Sequence, residues 1–218
     1  TQTAALKIMG YNVGPWGMTA NEDYDGTSWT TNNPTNLARF QPGAVGSQTA
    51  ALAIGGDSYP NPTSSPGRYR DEVEEYDGTS WAEVADLNSG RDSVTGLGNT
   101  TSAMACGGNQ PAGPTQVEDW NGTSWSSGTA MGTGREWAGK TGAGTTTECM
   151  IFGGNPNPTL NTEKYNGTAW TELADLSAAH SGKTGQGTVT AAMYTGGTSP
   201  ANQTEEWSVP TTNAIKTF

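Results

Sequence analysis

YDGTSW at residues 24–29 returns letter for letter at 76–81, then as WNGTSW at 120–125 and YNGTAW at 165–170. In each copy an Asp-Gly or Asn-Gly pair stands between two strand-like segments, the strongest short-range sign of a two-residue type I′ hairpin. The reading is architectural. Asp25-Gly26, Asp77-Gly78, Asn121-Gly122 and Asn166-Gly167 make the turn, while Trp29, Trp81, Trp125 and Trp170 open the next strand and are expected to bury a large ring. A glutamate precedes the aromatic by two in five places: Glu22/Tyr24, Glu74/Tyr76, Glu118/Trp120, Glu163/Tyr165 and Glu205/Trp207. Residues two apart share one face of a strand.

Upstream of each hairpin runs a short apolar segment ending in Gly-Gly: TAALAIGG at 49–56, TSAMACGG at 101–108, TECMIFGG at 147–154, TAAMYTGG at 190–197, and a worn copy, TAALKIMG, at 3–10. The pairs stand at 9–10, 55–56, 107–108, 153–154 and 196–197, in steps of 46, 52, 46 and 43. A repeat of this period means stacked supersecondary units. A fourth strand precedes each apolar one. Nine before the first Gly of a pair lie Gly46, Gly98, Gly144 and Gly187, and eleven before lie Ala44, Gly96, Gly142 and Gly185. Small residues at period 2 predict a face on which other backbones converge.

Four antiparallel strands per unit, five units in tandem and residues 1–218 as one domain predict an all-β, five-bladed β-propeller. The apolar run ending in Gly-Gly, the Glu-x-Tyr and the Trp five residues after that Tyr resemble the kelch repeat, the motif of kelch propellers and of the galactose oxidase central domain. The resemblance covers nearly the whole chain. The Tyr-to-Trp interval is shorter than in the usual kelch unit, which implies compact blades. The GTSW wording also resembles kelch-like proteins of bacteriophage and marine bacterial origin. Closure is expected from Ala214 to Phe218, as the outer strand of blade 5 or the missing inner strand of blade 1. Otherwise the five units belong to a longer chain.

A net charge of −11 argues against nucleic acid and anionic membranes as partners, since both attract clustered Lys and Arg. No apolar run approaches the roughly 20 residues that span a bilayer, so no membrane insertion is expected. The start at Thr1, without a leader, reads as processing or a fragment. Cys106 and Cys149 stand one and four residues before their Gly-Gly pairs, hence on opposite faces of equivalent strands, and read as small buried thiols. Asn99, Asn121, Asn166 and Asn202 match the glycosylation acceptor pattern, but two of them are simply the hairpin turn.

The copper chemistry that galactose oxidase would import needs several histidines, and this chain has one, His180. No arginine cluster with a tyrosine nucleophile is recognisable either. Neither enzyme, metal nor cofactor is expected. His180 fills a slot held elsewhere by Arg39, Arg91 and Arg135. The slot has two readings: a basic ring at one mouth of the central channel, or a repeated pairing with the unit's own glutamate. The functional expectation rests on unequal loops. From Gly-Gly to the aromatic takes 14 and 20 residues in units 1 and 2 against 12, 11 and 10 in the others. The two long loops carry Tyr11, Trp16, Tyr59, Arg68, Tyr69 and Arg70, aromatic and Arg anchors of the kind binding surfaces use. They predict a recognition module, extracellular or on a virion surface, that binds a glycan or protein. The alternative is a structural subunit of a virion, tail fibre or extracellular assembly, with the loops packed on copies of itself.

Overall fold

The computed structural model describes residues 3–10, 17–58, 68–109, 114–140, 145–155, 159–179, 182, 184–196 and 204–209. The chain is all-β: strands and turns account for the described residues, and none is helical. Five small antiparallel sheets follow the five sequence units in order. Sheet 1 holds β1 (Ala5–Ile8), β2 (Asn21–Tyr24) and β3 (Trp29–Asn32). Sheet 2 holds β4 (Gly43–Ser47), β5 (Ala50–Asp57), β6 (Tyr69–Tyr76) and β7 (Trp81–Glu83). Sheet 3 holds β8 (Thr95–Gly98), β9 (Ala103–Cys106), β10 (Val117–Trp120) and β11 (Trp125–Ser127). Sheet 4 holds β12 (Gly139–Lys140), β13 (Cys149–Phe152), β14 (Thr162–Tyr165) and β15 (Trp170–Glu172), and sheet 5 holds β16 (Thr184–Gly187), β17 (Ala191–Thr195) and β18 (Thr204–Ser208). Each strand pairs with its sequence neighbour. Among the described residues sheets 1 and 5 thus have three strands, and the closing segment 214–218 lies outside them.

The hairpin differs from the sequence reading by one residue. Tyr24 pairs with Trp29 and the turn centres on Gly26-Thr27, with the Asp25 N–H donating to the Ser28 carbonyl. Positive φ falls on the glycines alone, 97° at Gly26 and 91–93° at Gly78, Gly122 and Gly167, the sign pattern of a type II′ turn. The side chain makes the shift. Asp25 Oδ1 accepts from the Thr27 and Ser28 N–H groups, and Asp77, Asn121 and Asn166 do the same in their own turns. Backbone donors hold the Asp25 and Asp77 carboxyls below the usual carboxylate range.

The glycines before the apolar strand divide into two roles. Those nine before Gly-Gly, Gly46, Gly98 and Gly187, have φ of 97–114° and sit where a Cβ would strike the carbonyl across their own hairpin. They serve the turn between the first two strands, not the convergence predicted for them. Those eleven before do mark close approach: a Cβ on Gly96 would meet the Ala44 backbone and Val45, and one on Gly185 the Lys140 carbonyl and the Phe152 ring.

Cores form between successive sheets. Leu6, Ile8 and Met9 meet Tyr76 and Trp81; Leu52, Ile54 and Val73 meet Trp120 and Trp125; Met104 and Val117 meet Ile151 and Tyr165; Met150 and Phe152 meet Tyr194 and Trp207. The hairpin aromatic pairs have centroids 5.0–5.3 Å apart, and those of sheets 2, 3 and 4 face the preceding sheet. Such pairs contribute about 0.5–1.5 kcal/mol beyond the area they bury. Trp81 and Trp125 are buried at 6% and 7% exposure, but Trp29 is 52% exposed, because no described sheet precedes sheet 1. The expectation of four buried tryptophans fails there, and Trp170 is only half-buried. Cys106 and Cys149 do lie on opposite faces of equivalent strands, yet in adjacent sheets those faces look at each other, and both free thiols sit in the core between sheets 3 and 4. Burial pushes both thiols up, Cys149 to about 12.

Candidate functional site

The basic slot is not a channel mouth. The Arg39, Arg91 and Arg135 side chains are no more than 1% exposed and pair with Glu74, Glu118 and Glu163. Arg39 Nη2 stands 2.7 Å from Glu74 and Arg91 Nη2 3.0 Å from Glu118. The glutamate does double duty. Its other contacts are backbone N–H groups of the chain entering the sheet, from Asn36, Asn88, Gly132 and, at Glu205, Ser177. Burial pulls the three guanidinium groups below their ordinary value, and the facing glutamate pulls them back. The arginines therefore clamp the entry of sheets 2, 3 and 4, the second of the two sequence readings. His180 lies outside the described residues.

Two residues beyond each slot the backbone does something no motif announced. Gln41, Ser93, Trp137 and Gly182 all take left-handed φ, between 52° and 68°. Three of the four are not glycine, and such residues are uncommon there. The conformation turns each peptide toward its neighbours: the Ser93 N–H donates to the Gln41 carbonyl at 2.9 Å, Trp137 N–H to Ser93 and Gly182 N–H to Trp137 at 3.2 Å. A belt of hydrogen bonds so links sheets 2 to 5 at the head of their first strands.

Inside the belt is a cavity of about 380 Å³, lined by Gln41, Ser93, Thr95, Trp137, Gly185 and Lys140. Trp137 is 36% exposed, and its indole N–H donates to the Ser93 hydroxyl, which donates to Asp92 Oδ1 at 2.6 Å. Asp92 is buried and its Oδ2 has no hydrogen-bond partner among the described residues. Burial raises its carboxyl to about 6; the Ser93 hydroxyl pulls it down, while Asp57 and Glu136 push it further up. Lys140 forms the floor. Its Nζ donates to the Gly96 carbonyl and, at 3.1 Å, to the Ala44 carbonyl, so it ties β12 to β8 and β4. On its other side lies a cavity of about 520 Å³, lined by β1, the β4–β5 hairpin and Leu97. Burial pulls the Lys140 ammonium down to about 8.

Of the six loop residues proposed from sequence, Tyr11, Trp16 and Tyr59 lie outside the described residues. Arg68, Tyr69 and Arg70 stand at the root of the unit 2 loop, where Arg68 Nε bonds Asp57 Oδ2 at 2.6 Å and its guanidinium lies 5.4 Å from the Tyr69 ring centroid. Arg70 is held by Glu72 at 3.1 Å. The Arg68 and Asp57 charges both act on Asp92, so the loop root lies within electrostatic reach of the belt. Sequence reasoning passed over Gln41, Ser93, Trp137 and Lys140. One signal was available: Trp16 and Trp137 are the two of eight tryptophans that no repeat position explains. Among the described residues no three His, Cys, Asp or Glu side chains come together to hold a metal.

No family model and no curated protein matches this chain. Among solved structures it is similar to that described as "Structure of YjhT", with a TM-score of 0.66 and 15% identity over 82% of this chain. The match spans 66% of the YjhT chain, just under two thirds of its length. At that identity the likeness concerns the fold: several small antiparallel sheets set in series.

Proposed function

We propose that the five units are the blades of a five-bladed, kelch-like β-propeller, and that the chain is a non-enzymatic recognition module, extracellular or on a virion surface. Its ligand seat is the head of the first strands together with the roots of the long loops of units 1 and 2. The observation that carries this reading is Trp137, a large ring 36% exposed at the rim of a mostly apolar cavity with a few polar groups, and held in place by a hydrogen bond. An aromatic face beside hydroxyl and amide groups suits a sugar ring, which favours a glycan over a protein. The ordered Arg68–Tyr69 pair supplies a second anchor nearby. The test is a glycan array read with the parent protein, Trp137→Ala and Tyr69→Ala. Binding by the parent that both variants lose, with Tm within about 4 °C of the parent, is the expected result. An array without a hit, or a hit that both variants keep, removes the reading.

The second reading, a structural subunit, is favoured by a different observation. The outward face of sheet 1 presents Trp29 at 52% exposure and sheet 5 presents Met193 at 39%, apolar end faces of the type the inner sheets cover.

A further inference from the structure

We propose that the cavity beneath Trp137 seats a small oxyanion, a carboxylate, sulfate or phosphate group, on the ammonium of Lys140. The inference deepens the recognition reading and rests on it only in taking this cavity as the ligand's seat.

The argument is one of charge. Among the described residues seven other cations, Lys7, Lys164 and the five arginines, each stand within 4 Å of a carboxylate. Lys140 alone does not. All 21 Asp and Glu side chains lie in the described residues, so none is left to serve it. Its partners are two backbone carbonyls, of Ala44 and Gly96, and an ammonium has three N–H donors. The third has no protein acceptor among the described residues. Lys140 is half-buried between two cavities, and a cation partly withdrawn from water without a counter-charge is stabilised by one that a ligand brings. In a chain of net charge −11, retaining a lone lysine at the floor of a cavity makes sense if the counter-charge arrives with the ligand. The carbonyls fix the ammonium in place, so an anion meets a donor already ordered. Trp137 at the rim then takes the rest of the molecule.

Titration gives the inference a second handle. Burial holds Lys140 at about 8, and the one titratable side chain whose charge acts on it, Cys106, is kept neutral by its own burial. Anion affinity is therefore largest below pH 8 and declines as pH rises through it.

The experiment is calorimetric titration of the intact protein with acetate, sulfate and phosphate separately, at constant ionic strength, at pH 7 and pH 9.5. Saturable binding of at least one anion at pH 7 is expected, weakened roughly tenfold or more at pH 9.5. Lys140→Met should abolish it, and Lys164→Met, which removes a surface lysine paired with Glu148, should leave it unchanged. The preferred anion distinguishes a carboxylate-bearing ligand from a sulfated or phosphorylated one. No saturable binding up to roughly 50 mM of any of the three overturns the inference. So does binding that is indifferent to pH, a comparison made on the parent protein alone should Lys140→Met fail to fold. A protein that binds a glycan yet ignores all three anions refutes this inference and leaves the recognition reading standing; loss of glycan binding with anion binding intact does the reverse.

Discussion

Arg91 and Glu118 show how a single repeat position can look like a binding site and be a clamp. Both side chains are fully buried, and Glu118 also takes the Asn88 backbone N–H at 2.7 Å. A buried pair is poor evidence of net stability, because taking two charges from water offsets most of their attraction; removing one partner is another matter. Arg91→Met leaves Glu118 buried with its charge unmatched and should cost about 3–5 kcal/mol in urea unfolding. The double substitution Arg91→Met, Glu118→Leu should cost clearly less. A double variant as unstable as the single one would show that the arginine's hydrogen bond to the Ala105 carbonyl, at 3.3 Å, and not its charge, holds the entry. The pairing was legible in sequence, since Arg and Glu recur in step. Trp137 was not: no other unit has a tryptophan there, and what marks the position is a left-handed peptide two residues past Arg135, a property of backbone meeting backbone.

Strand exits carry the next lesson. The first Gly of each pair takes φ of 61–81°, and a Cβ at Gly55 or Gly107 would run into an arginine carbonyl of the next sheet. Sheet 1 has Met9 in that position, at φ 51° and 1% exposed. Two effects compete there. Left-handed strain costs about 1–2 kcal/mol in a non-glycine residue, while emptying a buried methionine site costs about 2–5 kcal/mol. Met9→Gly should therefore destabilise by about 2 kcal/mol, read from the urea midpoint; a gain in stability would mean that strain outweighs packing. The sheets were legible because their punctuation repeats. The turn register was not, since Asp25 Oδ1 captures two N–H groups and recentres the turn by one residue. The cysteines are the buried free thiols that strand period suggests, but their meeting in one core is decided by the stacking of sheets.

At the scale of the molecule three of the four inter-sheet cores repeat one contact, aliphatic and Met side chains of one sheet against the aromatic pair of the next, and in the fourth Met150 and Phe152 meet Tyr194 and Trp207. Trp29 interrupts the series. If the end faces are assembly surfaces, the solution mass should rise over a hundredfold range of concentration and Trp29→Arg should hold it at the monomer. A monomer throughout sinks the subunit reading. The belt bears on how such a chain comes to be. Ser93 and Trp137 each donate the N–H to the preceding sheet and accept at the carbonyl from the following one, through main-chain atoms alone. A unit copied in tandem brings both halves of the joint with it, and a unit deleted removes both, so neither event strands a buried donor or acceptor. Growth and shrinkage by duplication are therefore cheap at this joint, and side chains such as Trp137 are free to diverge on it one unit at a time.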